Sequence, residues 1–144
     1  MNELAAALKI ALSNTYLMYF KAHTYHWNVE GMFFSQFHEF FGDIYEEVYG
    51  AVDPMAEQMR ALDVYAPVSF AEMIRSASIV EDAVKPSDVK SMLANLQTAN
   101  QQALDSLNKA FDLAAGNDGL QNFLADRIDQ HNKHAWMLRA SLKG

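Results

Sequence analysis

The chain has 144 residues, the size of a single domain (1–144), with 18 acidic against 11 basic side chains, a net charge of −7 with its histidines neutral, and no cysteine. The missing cysteines exclude disulfides, thiolate zinc centres and Cys nucleophiles, so any metal must be held by His, Asp or Glu. The acidic balance and scattered Lys and Arg disfavour direct contact with nucleic acid or anionic lipid, and six Gly, three Pro and eight Met suit packed helices rather than a sandwich.

Met1-Asn2-Glu3 leads directly into an amphipathic pattern, without a basic leader, a cleavage site or an apolar run of about 18 residues, so a soluble cytoplasmic protein is expected. The first helix is predicted over 3–28, with Leu4, Leu8, Ala11, Thr15, Met18, Ala22 and His26 on one stripe. Gly31 interrupts it. A second helix over 33–62 carries Phe34, Phe37, Phe41, Ile44, Val48, Val52, Met55 and Met59 and would be about 45 Å long. Within it, Pro54 removes a donor and clashes with the carbonyl of Gly50, which predicts a kink beside Asp53. Between Pro67 and Pro86, Ser69-Phe70-Ala71-Glu72 reads as an N-cap opening a short crossing helix over 70–76. A third helix starts near Ser87, with Met92, Leu93, Leu96, Ala99, Ala103, Leu107 and Phe111 on its apolar face, and stops at Gly116-Asn117-Asp118-Gly119. The fourth spans 120–142 and carries Phe123, Leu124, Ile128, His131, Ala135 and Leu138. With no repeat or long linker, the reading is an all-α, ferritin-like four-helix bundle with a short crossing helix between helices two and three.

Ferritin-like di-iron centres built inside one bundle use Glu-x-x-His on two helices, and no histidine here has Glu three residues before it. The second helix offers another arrangement. His38, Asp53 and Glu57 fall at about 0°, 60° and 100° around its axis, on one broad stripe. His38 and Glu57 are nineteen residues apart, which is about 28 Å of helix, so they can share a metal only with a second copy lying antiparallel across a two-fold axis. A two-fold centred between Glu47 and Val48 sets His38 opposite Glu57 of the other copy and position 42 opposite its Asp53, giving two identical sites per dimer.

His26-Trp27-Asn28-Val29-Glu30-Gly31, then Phe33-Phe34, His38-Glu39 and Ala56-Glu57-Gln58-Met59-Arg60-Ala61-Leu62 resemble the Dps family, as does the last-helix segment from Arg127-Ile128-Asp129-Gln130-His131 to Trp136-Met137-Leu138-Arg139. The resemblance covers nearly the whole chain. It implies a mini-ferritin: a twelve-subunit hollow shell with ferroxidase sites at dimer interfaces, His26 and His38 coming from one subunit and Asp53 and Glu57 from its mate. Such a site takes Fe(II) through imidazole and carboxylate, oxidises it with hydrogen peroxide or O2 and stores ferric mineral, with zinc among the other divalent ions it could admit.

One departure stands out. The family has Asp or Glu four residues after the second histidine, where this chain has Gly42. His23 and Glu46, and after them Asp43, are the candidate replacements. The alternatives are a DNA-protecting shell, or a storage cage whose ferroxidase site has decayed. His131 and His134 are expected in a packing or surface role, and Phe33, Phe34, Phe37, Phe40 and Phe41 in core and subunit interface. Asp118, Asp126 and Asp129 could line acidic pores as the family implies, or form a solvated helix start favoured by the dipole.

Overall fold

In the computed structural model, which describes residues 2–144, six helices follow one another: α1 (Asn2–Asn28), α2 (Phe34–Tyr49), α3 (Val52–Ala61), α4 (Phe70–Ser76), α5 (Val89–Leu113) and α6 (Asp118–Leu142). The described residues contain no strand, and none of their helices is long and apolar enough to cross a membrane. α1 packs against α2 and α5, α5 against α6, and α4 crosses onto α1, which is the four-helix bundle with one long connection expected from the sequence.

Local chemistry sets the boundaries. Ser69 Oγ accepts the Glu72 N–H at 3.1 Å, while Glu72 Oε1 accepts the Val68 N–H at 3.3 Å, so α4 begins on a reciprocal cap. Asp88 caps α5 through the Ser91 N–H (2.8 Å), moving the start two residues beyond the expected Ser87. Gly116, with φ of +92°, lets the chain turn into α6, where Asn117 Oδ1 accepts the Leu120 N–H at 3.1 Å.

The helix expected as one piece over 33–62 is two. Gly50 N–H donates to Glu46 O (3.1 Å), but Ala51 N–H reaches back only three residues, to Val48 O (3.1 Å), before α3 restarts with Met55 N–H on Ala51 O. Pro54 has no N–H for the Gly50 carbonyl, so the ladder cannot run through this point. The break leaves Asp53 and Glu57 on a separate helix.

The core is divided. Met18, Tyr25, Phe41, Ile44, Met92, Leu96 and Leu138 fill one half and Leu8, Leu12, Met55, Met59, Leu107, Leu120 and Leu124 the other. Between them lies a layer of buried polar groups that includes Asn14, Asn100, Arg127, His131 and His134. Asn14 fastens the crossing segment: its Oδ1 accepts the N–H groups of Ser78 (2.9 Å) and Ile79 (3.2 Å), and its Nδ2 donates to Ser106 Oγ at 3.2 Å. Of the five phenylalanines expected in core and interface, Phe41 is in the core, whereas Phe33 and Phe34 are exposed in the single chain.

Candidate metal centre

α1 and α2 form a hairpin whose connection turns at Gly31, with φ of +116°, and is held by Val29 N–H on Tyr25 O (3.0 Å) and Phe34 N–H on Gly31 O (3.1 Å). This closure brings His26, near the end of α1, against His38, in the second turn of α2. Their imidazoles stack with centroids 3.8 Å apart and planes 18° from parallel, and the Phe34 ring covers His38 at 5.0 Å.

Each histidine donates across the hairpin to the other's main chain: His26 Nδ1–H to His38 O at 2.6 Å, and His38 Nδ1–H to His26 O at 2.7 Å. A carbonyl can only accept, so Nδ1 carries the proton in both neutral rings and both Nε2 atoms keep a lone pair. An imidazole whose Nδ1–H is anchored on a carbonyl is oriented for ligation through Nε2.

Asp53 and Glu57 stand one turn apart on α3, both exposed, and neither forms a hydrogen bond or ion pair with the described residues. Among the described residues no three His, Asp or Glu side chains converge on one point. The structure thus brings His26 and His38 together and leaves both carboxylates apart from them within the chain.

The replacement candidates differ in setting. His23 Nδ1 is 2.9 Å from the Tyr19 hydroxyl, and its ring stacks on Tyr45 (3.8 Å, 7°) and leans on Trp27 (4.1 Å). Its centroid is 6.0 Å from that of His26; burial, and then the charge of His26, lower its pKa. Glu46 is exposed on α2. Asp43 lines a groove with Glu39, Trp136 and Met137. Gly42 is buried, against the His26 ring. Asp118, Asp126 and Asp129 are exposed on the first half of α6.

The histidines expected in packing or at the surface belong to a buried network. Arg127 makes a two-point ion pair with Glu47 (2.5 and 3.0 Å), His134 Nε2 lies 2.8 Å from Glu47 Oε1, and Arg127 Nη2 donates to His131 Nε2 at 3.1 Å. Burial alone would raise the Glu47 pKa, but hydrogen bonds from His134 and Arg127, with their charges, pull it down to about 2. Arg127 Nε is left without a partner among the described residues. The sequence signal for this cluster was His131 on an apolar stripe; Glu47, which Arg127 and His134 hold from eighty and eighty-seven residues away, gave none.

A family model described as a ferritin-like domain matches residues 5–144. General stress protein 20U of Bacillus subtilis (strain 168) is 30% identical over 142 residues, covering 97% of each chain. The DNA protection during starvation protein of Brevibacillus brevis is 30% identical over 143 residues, covering 96% of this chain and 94% of that one. Among solved structures, the DPS protein of Vibrio cholerae O1, described as belonging to a broad superfamily of ferritin-like diiron-carboxylate proteins, superposes with a TM-score of 0.93 at 30% identity, covering 99% of this chain and 90% of that chain.

Proposed function

This chain belongs to the Dps family of ferritin-like proteins, and from that premise we propose that it is an iron-oxidising and iron-storing mini-ferritin working at sites shared between two copies. The observation that carries the reading is the histidine pair, with both Nδ1 atoms anchored and both Nε2 lone pairs free, together with two carboxylates that have no partner among the described residues. A second copy placed antiparallel on α2 and α3 supplies Asp53 and Glu57 to the first copy's His26 and His38, and receives the same in return. Phe20, Trp27, Tyr49 and Phe70 expose large aromatic surface on α1, α2 and α4, the kind of patch that a subunit contact covers.

Fe(II) is the substrate, and a mixed imidazole and carboxylate set suits it. Two Fe(II) ions each give one electron to one hydrogen peroxide, which takes up two protons and leaves as two waters; with O2 as oxidant the ferric product is the same. The Nδ1 anchors keep both imidazoles oriented, and the two carboxylates offset the charge of the incoming cation. The assembly we propose is a homo-oligomeric shell of twelve copies in the cytoplasm, with ferric mineral inside. The acidic chain disfavours direct DNA binding.

Complementation tests the shared site. His38→Ala and Glu57→Ala shells should each oxidise Fe(II) with peroxide no faster than buffer, measured at the ferric absorbance. In a mixed dimer both lesions fall in one site and the other is intact, so co-assembled shells should recover oxidation. No recovery in verified mixed shells would sink the proposal, as would full activity in either single variant.

A further inference from the structure

We propose that Gly42 is a positioning residue: its bare Cα makes the space in which the His26 imidazole reaches the His38 carbonyl, so position 42 is packing for a ligand rather than a vacated ligand position. The metal-binding part of this inference rests on the shared-site reading above; the positioning part stands on this chain alone.

Gly42 is buried in the middle of α2, one turn after His38. Glycine inside a helix is unfavourable unless something approaches closely. Here something does: a Cβ at 42 would lie 3.0 Å from His26 Nδ1 and 3.2 Å from its Cε1. Nδ1 is the atom that donates to His38 O at 2.6 Å, so the first carbon of any side chain would press on the anchoring bond itself. Three rings neighbour that of His26. His38 covers one face at 3.8 Å, Tyr45 stands at 5.2 Å and His23 at 6.0 Å, centroid to centroid. A side chain at 42 would require the His26 ring to shift by a few tenths of an ångström from its contact with the His38 carbonyl. The site then takes both its carboxylates from α3 of the second copy, and α2 supplies imidazole alone.

The test is anaerobic Co(II) calorimetry on assembled protein, with crystal structures of Gly42→Ala and Gly42→Asp. Alanine favours helix, so Gly42→Ala should assemble normally. It should nevertheless bind Co(II) about tenfold or more weakly, the loss expected when the support of a ligating histidine is removed. In its crystals the His26 ring should have left the His38 carbonyl. Gly42→Asp should not bind more tightly than the natural protein. In a His26→Ala background, adding Gly42→Ala should cost no further affinity, since the ring it disturbs is gone.

Wild-type affinity in Gly42→Ala, tighter binding in Gly42→Asp, or a variant crystal that retains the 2.6 Å anchor would each overturn the proposal. Co(II) binding indifferent to His38→Ala would instead remove the shared-site reading, while the His26 ring position in Gly42→Ala crystals would still decide the role of Gly42.

Discussion

His131 gives the sharpest quantitative prediction, because its protonation state is fixed by geometry and its consequence is a slope. The residue is fully buried in the polar layer. Asn100 Nδ2 donates to the His131 carbonyl at 2.9 Å, which turns Asn100 Oδ1 toward the ring, and Oδ1 can only accept. The ring therefore donates from Nδ1, at 2.8 Å, and accepts the Arg127 guanidinium N–H at Nε2. A second proton on Nε2 would point at that cation. Burial above all, then the charges of Arg127 and His134, push the pKa down to about 3, with Glu47 opposing.

A lowered folded pKa means that the unfolded chain takes up the proton first, near its ordinary pKa of about 6.5. The stability due to neutral His131 is complete above that pH and lost as pH falls toward 3, at about 1.4 kcal/mol per pH unit. From pH 7.5 to 5 the loss is about 2 kcal/mol, and it stays near that figure for any folded pKa well below 5. The assay is guanidinium denaturation followed by tryptophan fluorescence at fixed chain concentration, because assembly is linked to stability. His131→Gln serves as reference, since other titrating groups contribute equally to both proteins. The natural protein should lose about 2 kcal/mol more than His131→Gln across this window; parallel pH profiles, or a His131 resonance titrating near pH 6, would refute the argument.

Three further predictions follow from the same packing. Glu47→Gln leaves the buried Arg127 guanidinium without its counter-charge and should cost about 3 kcal/mol in the same denaturation assay. It should also flatten the acid transition between pH 4.5 and 2, where the natural protein gives up the stability of an ionised Glu47. Asn14→Ala strips the acceptor from the Ser78 and Ile79 N–H groups, a loss of about 3 kcal/mol, and hydrogen exchange should accelerate at those two amides before the rest of the core. Pro54→Ala gives the Gly50 carbonyl a donor, so α2 and α3 should join, the thermal midpoint should hold or rise, and peroxide-driven Fe(II) oxidation should slow as Asp53 and Glu57 rotate. Oxidation at the natural rate in a variant with continuous helix would show that the break does not aim them.

Much of this architecture could be read from local chemistry. Ser69 caps α4 where the Ser-x-x-Glu pattern places it, and the His26 to His38 spacing around Gly31 folds back on itself, as a helical hairpin requires. The break at Gly50 and Ala51 was harder to locate, because Val48, Val52 and Met55 continue the apolar stripe through it; periodicity reports which face is buried, not whether every backbone bond is made. The exposure of Phe33 and Phe34 likewise carries no local signal, since an exposed and a buried phenylalanine are the same apolar letter. The polar layer was least legible. Glu47, Asn100 and Arg127 belong to three helices, and only tertiary packing brings them together with His131.

That layer also bears on where metal chemistry can occur. Three helices bringing a half-buried carboxylate and two buried imidazoles together would ordinarily be a place to hold a cation, but here the cation is covalently part of the chain. Arg127 takes both oxygens of Glu47 and the free nitrogen of His131, while His134 Nε2 lies against Glu47 Oε1. A metal ion entering the bundle would have to displace a buried guanidinium and leave its charge unpaired. Outside the bundle the balance is reversed. His26 and His38 keep their Nε2 lone pairs, and Asp53 and Glu57 have no partner among the described residues, so α1, α2 and α3 carry donors still free to bind a cation, where another copy can bring them together.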